Sequence, residues 1–279
     1  MSKGPTYRDD PPALLRGWWI AFLLFTLSAG VAKAADSFIL ISDVDDTVKI
    51  TNVLHRADAF KNAVASEAVF AGMPELYHAI LGKDSPAERL GFMSGSPGIL
   101  RHKVSELLQH GDFPAYQLTL RGWTELFSSP FGYKTKHLQE MYGASAGEFL
   151  LVGDDTESDP EIYEVFSKGN QVRAIYVHRI TGRALPPGSV VFVTAYDIAA
   201  HEFLAGHLSE EQAAAVGNAV FAAEDRNFLP CFQECPKEYE PIAGLSEPLA
   251  QLAEKIEVRM TALCSSRPNT CRSHQAPRL

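Results

Sequence analysis

Two acidic runs carry the chemistry that this sequence could support: Asp43-Val44-Asp45-Asp46-Thr47, after the apolar stretch Phe38–Ser42, and Gly153-Asp154-Asp155-Thr156-Glu157-Ser158-Asp159, after Phe149–Val152. In an extended segment the side chains of Asp43 and Asp45 point the same way and repel each other, so a positive partner is expected beside them. Two acid clusters, each at the end of a strand, suit a shared divalent cation. Magnesium takes oxygen ligands, commonly one or two carboxylates with water and substrate phosphate, which fits Asp43, Asp154 and one neighbour. Two solvated acidic turns are the plainer alternative. A third feature, Ser94-Gly95-Ser96-Pro97, follows the apolar run Leu90–Met93. It offers a hydroxyl, a glycine that lets a ligand approach the backbone, and N–H groups at a helix start where Pro97 fits the first turn, which together make an anion site. The same residues also serve as ordinary turn chemistry. Lys134, just ahead of a helix expected over Thr135–Tyr142, is the cation placed to neutralise nucleophile and phosphate, although a lysine there is equally at home on a solvated surface.

The elements that must position these residues read as α/β. From Phe38 to about Val193, short apolar runs alternate with segments of helical period, the pattern of a doubly wound, Rossmann-like parallel sheet covered by helices. Strands are expected at Phe38–Ser42, Leu90–Met93, Tyr116–Leu120, Phe149–Val152, Val172–Val177 and Val190–Val193, with helices at Leu100–His110, Thr135–Tyr142 and Pro160–Lys168. In such sheets ligands bind beyond the carboxyl ends of the strands, where both acid clusters fall. After Val193 the chain turns Ala-rich and helical, notably over Ser209–Glu224, where Ser209, Glu211 and an acidic first turn make a helix start, and over Leu249–Leu263. The expected domains are therefore residues 35–199, catalytic, and 200–279, a helical extension.

That extension holds all four cysteines, Cys231, Cys235, Cys264 and Cys271. The CFQEC spacing is not the tight pair of a zinc site, and two structural disulfides are expected. Three pairings are open; a bridge from the Cys231/Cys235 loop to the Cys264/Cys271 end would staple the last helix down. The compartment agrees. Arg16 is followed by sixteen uncharged residues, Gly17–Ala32, and then by Ala32-Lys33-Ala34. The run is short of the roughly 20 residues needed to span a bilayer, and its small-residue ending fits a secretory signal peptide cleaved after Ala34. An exported protein, periplasmic or secreted, is expected; an uncleaved anchor and a buried helix are the alternatives. With Lys+Arg 25 against Asp+Glu 34, a net charge of −9 disfavours a general grip on nucleic acid.

Taken in order, Asp-x-Asp-x-Thr, then Ser94, then Lys134, then Gly-Asp-x4-Asp resemble the haloacid dehalogenase superfamily of phosphatases. More narrowly, Ile41–Lys49, Met93–Pro97, Leu120–Trp123, Tyr133-Lys134 and Gly153–Tyr163 resemble the catalytic domain of the actin-patch, lipin-like phosphatidate phosphatases. The resemblance covers about residues 38–180 and implies a phosphomonoesterase. Asp43 would be the nucleophile that forms an aspartyl-phosphate, and Asp45 the general acid and then base. Thr47 would belong to the same catalytic motif. Ser94, Gly95 and Lys134 would hold the phosphoryl group. Mg2+ would sit between Asp43, the backbone carbonyl of Asp45, Asp154 and either Asp159 or Asp155, with Asp159 preferred.

Lys49–Met73 and Ser94–Lys134 leave little room for a large cap, so an open site is expected, suited to a bulky lipid phosphate such as phosphatidate and to peripheral contact with a membrane. Thr51–Phe60 and Arg121–Trp123 would flank it, with Trp123 and Phe127 read as core residues. A nonspecific or nucleotide phosphatase is the alternative activity, and a non-catalytic domain that binds phospholipid or protein the alternative class. His201 and His207 are six residues apart, not the four-residue step of a zinc-protease helix, so a surface helix is expected there. His55 and His78 are read as structural.

Overall fold

Strands β1 (Phe38–Asp43), β2 (Leu90–Pro97), β3 (Gln117–Arg121), β4 (Glu148–Asp154), β5 (Val172–His178) and β6 (Ser189–Phe192) form one parallel sheet in the order β3-β2-β1-β4-β5-β6. The structure, a computed structural model, describes residues 38–54, 68–145, 147–236, 242–267 and 271. The expected signal peptide, His55 and the 55–60 part of the stretch expected to flank the site lie outside the described residues. No described helix is long and apolar enough to cross a membrane.

The order of the sheet sets the site. The strands run parallel, but the order in which they are added reverses at β1, with β2 and β3 laid down on one side and β4 to β6 on the other, so Asp43 and Asp154 end neighbouring strands at the switch point where α/β sheets bind ligands. Both central strands are buried on both faces, as continuous apolar runs in parallel sheets are. Successive residues alternate between two cores. Leu40, Leu150 and Val152 face one, while Ile41, Phe149 and Leu151 face the other.

The second core is closed by α3 (Pro130–Tyr142) and α4 (Asp159–Ser167), through Tyr133, Leu138, Tyr142, Ile162, Tyr163 and Phe166. The first is closed by α1 (Met73–Leu81), α2 (Arg101–His110) and the C-terminal helices α5 (Ala195–Leu204), α6 (Glu210–Ala222) and α8 (Glu247–Ser266), with the short α7 (Asp225–Phe228) between the last two. Gly217 lets α6 approach closely: a Cβ there would lie 2.4 Å from Leu252 and 2.6 Å from Tyr196. The extension thus supplies part of one helical layer of the sheet domain, beside α1 and α2, and α5 spans the expected 199/200 boundary.

One helix start differs from expectation for a local reason, and one agrees with it. Ser129 accepts a hydrogen bond from the N–H of Gly132 and Pro130 fills the first turn, so α3 begins five residues early and Lys134 sits within it. Ser209 caps α6 as expected, but its reciprocal partner is Gln212, because the capping box needs the third helical position and Glu211 is at the second.

The cysteines pair as Cys231–Cys271 and Cys235–Cys264, both joining the loop after α7 to the C-terminal end of the chain. Disulfides mark an oxidising, exported environment. Replacing both Cys235 and Cys264 with Ser should lower the free energy of unfolding by about 3 kcal/mol; urea denaturation monitored by circular dichroism checks this, and an unchanged midpoint would show that the bridge adds nothing.

Candidate active site

Asp43 closes β1, buried, and its Oδ1 accepts a hydrogen bond of 2.7 Å from Lys134 Nζ. The same ammonium reaches Asp159 Oδ1 at 2.6 Å and Glu157 Oε2 at 3.4 Å. Asp43, Asp154 and Asp159 each turn one carboxylate oxygen into a common space, all within 4.8 Å of one another. Three buried carboxylates against one buried ammonium leave excess negative charge. Burial pushes the Asp43 carboxyl well above the ordinary carboxylate range; Lys134 opposes this, and Asp159, Asp154 and Asp45 add to it. Asp154 is raised in the same way, by burial first and then by Asp159 and Asp46. Burial works against the charged form of Lys134, but Asp159, Asp43 and Glu157 together outweigh it and hold its pKa well above the usual lysine value.

A divalent cation fits this space on a direct observation. Asp159 Oδ2 is fully buried with no hydrogen-bond partner, a costly state for a carboxylate oxygen unless something positive meets it. Asp155, the alternative, is turned elsewhere. Its Oδ1 accepts from the N–H groups of Ile180 (2.8 Å) and Thr181 (2.7 Å), and its Oδ2 from that of Gly182 (2.7 Å), so it ties down the loop after β5.

Asp159 is delivered by the entry to α4, where Pro160 occupies the first turn and the carboxylates of Asp159 and Glu161 meet the positive helix end. Gly153 makes this approach fit: a Cβ on it would lie 2.7 Å from Asp159 Cβ and 2.9 Å from Tyr163 Cε2. Gly153→Ala should therefore displace Asp159, weakening Mn2+ binding, followed by paramagnetic relaxation of water, at least about tenfold; unaltered binding would mean that the strand absorbs the methyl group.

Asp45 stands apart from the group of three carboxylates. Its Oδ2 accepts from the hydroxyls of Ser94 (2.8 Å) and Ser96 (2.9 Å), and its Oδ1 from that of Thr51 (2.9 Å). Ser94 Oγ in turn accepts from the N–H of Ser96 at 2.9 Å, where the pairing of β2 with β3 slips between Ser94 and Pro97. Such a bulge re-aims side chains at a strand end. A Cβ at Gly95 would make only an ordinary contact, with the Glu157 carboxylate at 3.6 Å. Thr47 Oγ1 donates to Asp154 Oδ2 at 3.3 Å, linking the two acid runs.

Asp46 was legible as an acid but not as a brace. It is buried in the left-handed region at φ 55°, and its carboxylate accepts from the N–H groups of Thr51 (2.8 Å), Asn52 (2.7 Å) and Val53 (2.7 Å). Burial pushes that carboxyl up to about 7 against these bonds, which favour the charged form. Thr156, which bonds Asp154 Oδ1 through its N–H (2.6 Å) and its hydroxyl, and Glu157, beside Lys134, are further partners. Their signal in the sequence was membership of the second acid run. Ser96 could have been found from its two-residue step from Ser94 in an extended segment.

Two aromatic and histidine expectations need correction. Trp123 is not in the core: it is 73% exposed and, with Ile99 at 72%, lines a cleft with Pro97, Gly98, Arg121 and Gly122 directly beyond the serine bulge. A short 3-10 turn over Trp123–Phe127, rather than a core-facing strand or helix, carries it outward. The helix with His201 and His207 beyond its end is mostly buried; Glu202 lies inside and pairs with Arg173 (3.2 Å) and His207 (2.9 Å). His78 is partly buried against the carbonyl of Asp112.

A parallel sheet with a strand-end aspartate, a second acid cluster on the adjacent strand and a buried lysine between them is the frame expected of a haloacid dehalogenase-like phosphatase domain. Residues 38–179, just over half of the chain, match the family model described as phosphatidate phosphatase APP1, catalytic domain, and the chain belongs to that family. No curated protein and no solved structure matches it.

Proposed function

We propose that the protein is an exported, magnesium-dependent phosphomonoesterase that works through an aspartyl-phosphate and acts on phosphatidate or another lipid phosphate. The observation that carries this reading is the meeting of Asp43, Asp154 and Asp159 beside Lys134, with Asp45 held next to the nucleophile by three hydroxyls. The family supports the phosphatase class, and the apolar cleft of Ile99 and Trp123 beside the site supports a substrate with an apolar part.

In this mechanism Lys134 holds Oδ1 of Asp43 and the other carboxylate oxygen attacks phosphorus. The bond from phosphorus to the leaving oxygen breaks as Asp45 gives that oxygen its proton. Asp45 then takes a proton from water, which attacks the phosphorus of the aspartyl-phosphate; inorganic phosphate leaves and Asp43 is restored. Ser94, the backbone at Gly95 and Lys134 bind the phosphoryl oxygens. Mg2+, held by Asp43, Asp154, Asp159 and the backbone carbonyl of Asp45, would offset the negative charge that gathers during transfer. Residues 35–199 carry this chemistry and 200–279 support it.

The test is phosphate release from phosphatidate in mixed micelles and from p-nitrophenyl phosphate, with Mg2+ or EDTA. The expected result is Mg2+-dependent release that strongly favours the lipid. Release from the aryl ester or from nucleotides alone would sink the lipid assignment, and no release from any ester would point to a domain that binds without turnover.

A further inference from the structure

The CFQEC segment has a use beyond its disulfides. Gln233 lies midway between Cys231 and Cys235, each bridged to the C-terminal end of the chain. Its backbone is fixed as well: its N–H donates to the carbonyl of Pro230 at 3.0 Å, and Arg267 donates to the carbonyls of Gln233, Leu229 and Pro230. This rigid loop inserts the Gln233 side chain, fully buried, behind the catalytic strand ends.

There the amide nitrogen lies 2.9 Å from His178 Nε2, 3.1 Å from the carbonyl of Arg179 and 3.2 Å from that of Val193. Two carbonyl neighbours fix the amide with its NH2 group toward them, because the oxygen would be repelled there. A protonated Nε2 would face the NH2 group hydrogen to hydrogen at 2.9 Å, and a bare Nδ1 would face the carbonyl oxygen of Asp46 lone pair to lone pair at 2.8 Å. The ring proton therefore sits on Nδ1, which donates to that carbonyl, and Nε2 accepts. The ring cannot turn away: Phe192 stacks on it at 4.7 Å and Phe70 meets it edge-on at 4.4 Å. Burial lowers the His178 pKa to about 4, so the ring is neutral and holds one proton. A competing tautomer is built in, since Nε2 is also 3.1 Å from the carbonyl of Val193 and could donate to it. Gln233 Oε1 is itself buried without a hydrogen-bond partner, a cost that an apolar side chain of the same size would avoid. What the glutamine adds is its N–H.

We propose that Gln233 is a positioning residue for the nucleophile loop: by donating to His178 Nε2 it keeps the imidazole proton on Nδ1, and so keeps the Asp46 carbonyl, in the turn between Asp45 and Thr47, in one orientation. The proposal rests on the phosphatase reading for its kinetic consequence alone. Glu234 adds a second tie from the same segment, its N–H donating to the carbonyl of Ile180 at 2.8 Å in the loop that receives Asp155.

The test uses the full disulfide-bonded protein and Gln233→Met, which keeps volume and removes the donor. Nitrogen-15 NMR of the histidine rings should show His178 protonated on Nδ1 in the wild type and shifted toward Nε2 in the variant. Mg2+-dependent phosphate release should show kcat reduced about tenfold with KM within about twofold. A wild-type ring protonated on Nε2 overturns the proposal with no variant needed, as does a variant that keeps the Nδ1 proton or full kcat. If the wild type releases phosphate from no ester, the phosphatase reading falls, while the ring tautomers still decide the role of Gln233.

Discussion

Asp43→Asn should abolish phosphate release, lowering kcat by on the order of 10⁴ or more, because an amide cannot form the acyl-phosphate and the remaining groups act as a unit with it. The same substitution separates catalysis from folding. Asp43 is one of three buried carboxylates that share a single ammonium, and burial already disfavours its charge, so neutralising it relieves repulsion in the metal-free protein. In EDTA the variant should therefore melt no lower than the wild type. Added Mg2+ should raise the wild-type midpoint by about 5–10 °C at a hundredfold excess over Kd, and the variant by less than half of that. Differential scanning calorimetry with and without Mg2+ measures both. A variant that melts far lower in EDTA would show that the Lys134 contact outweighs the repulsion, and an equal metal response would remove Asp43 from the cation site.

Lys134→Met has the second largest expected effect, and it falls on stability as well as rate. Removing the ammonium strands Asp43 and Asp159 without their partner, where pairs at 2.7 Å and 2.6 Å stood. Breaking a buried pair by deleting one partner costs about 3–5 kcal/mol. The sign with pH follows from the raised pKa of Lys134: its stabilisation is fully present below the ordinary lysine value of 10.5 and fades only as pH rises through the higher folded value. The loss should thus be seen undiminished across the neutral range. Urea unfolding of the variant in EDTA measures it; Mg2+ should restore part of the stability by replacing the missing positive charge. It should not restore rate, which should stay about 10²–10³-fold down because phosphoryl oxygens lose a fixed cation. Full recovery of kcat with metal would show that Lys134 acts only as a counter-charge.

These effects concentrate in a small region because the site sits where two cores meet. Asp43 and Asp154 belong to strands buried on both faces, so neither backbone can relax to accommodate a lost partner. The C-terminal helices close one of those cores, and the disulfide-held loop reaches the back of the site through Gln233 and His178. Support for the turn from Asp45 to Thr47 therefore comes from both flanks: Thr51, Asn52 and Val53 on the Asp46 carboxylate, and His178 on its carbonyl.

By itself the sequence determined the α/β class, the six strands to within a few residues, and the placement of both acid runs at strand ends. Those properties are local: apolar runs of strand length, helical period and turn chemistry act over a few residues and leave their mark in order along the chain. Asp43, Asp154 and Lys134 were legible for that reason, as was the presence of disulfides, from an even cysteine count, the CFQEC spacing and the apolar run Gly17–Ala32 together. Only the tertiary structure decided the matters that depend on which way a side chain turns among distant partners. It brought Asp159 to Asp43 and Asp154 while three backbone N–H groups took Asp155; it chose one cysteine pairing among three; it set Trp123 outward; and it made the 200–279 helices part of a layer of the same core. In each case the outcome is fixed by packing and hydrogen bonding between segments far apart in the chain. Asp155 and Asp159 sit in one acid run, yet different neighbours separate their surroundings: the loop after β5 for the first, Lys134 and the start of α4 for the second.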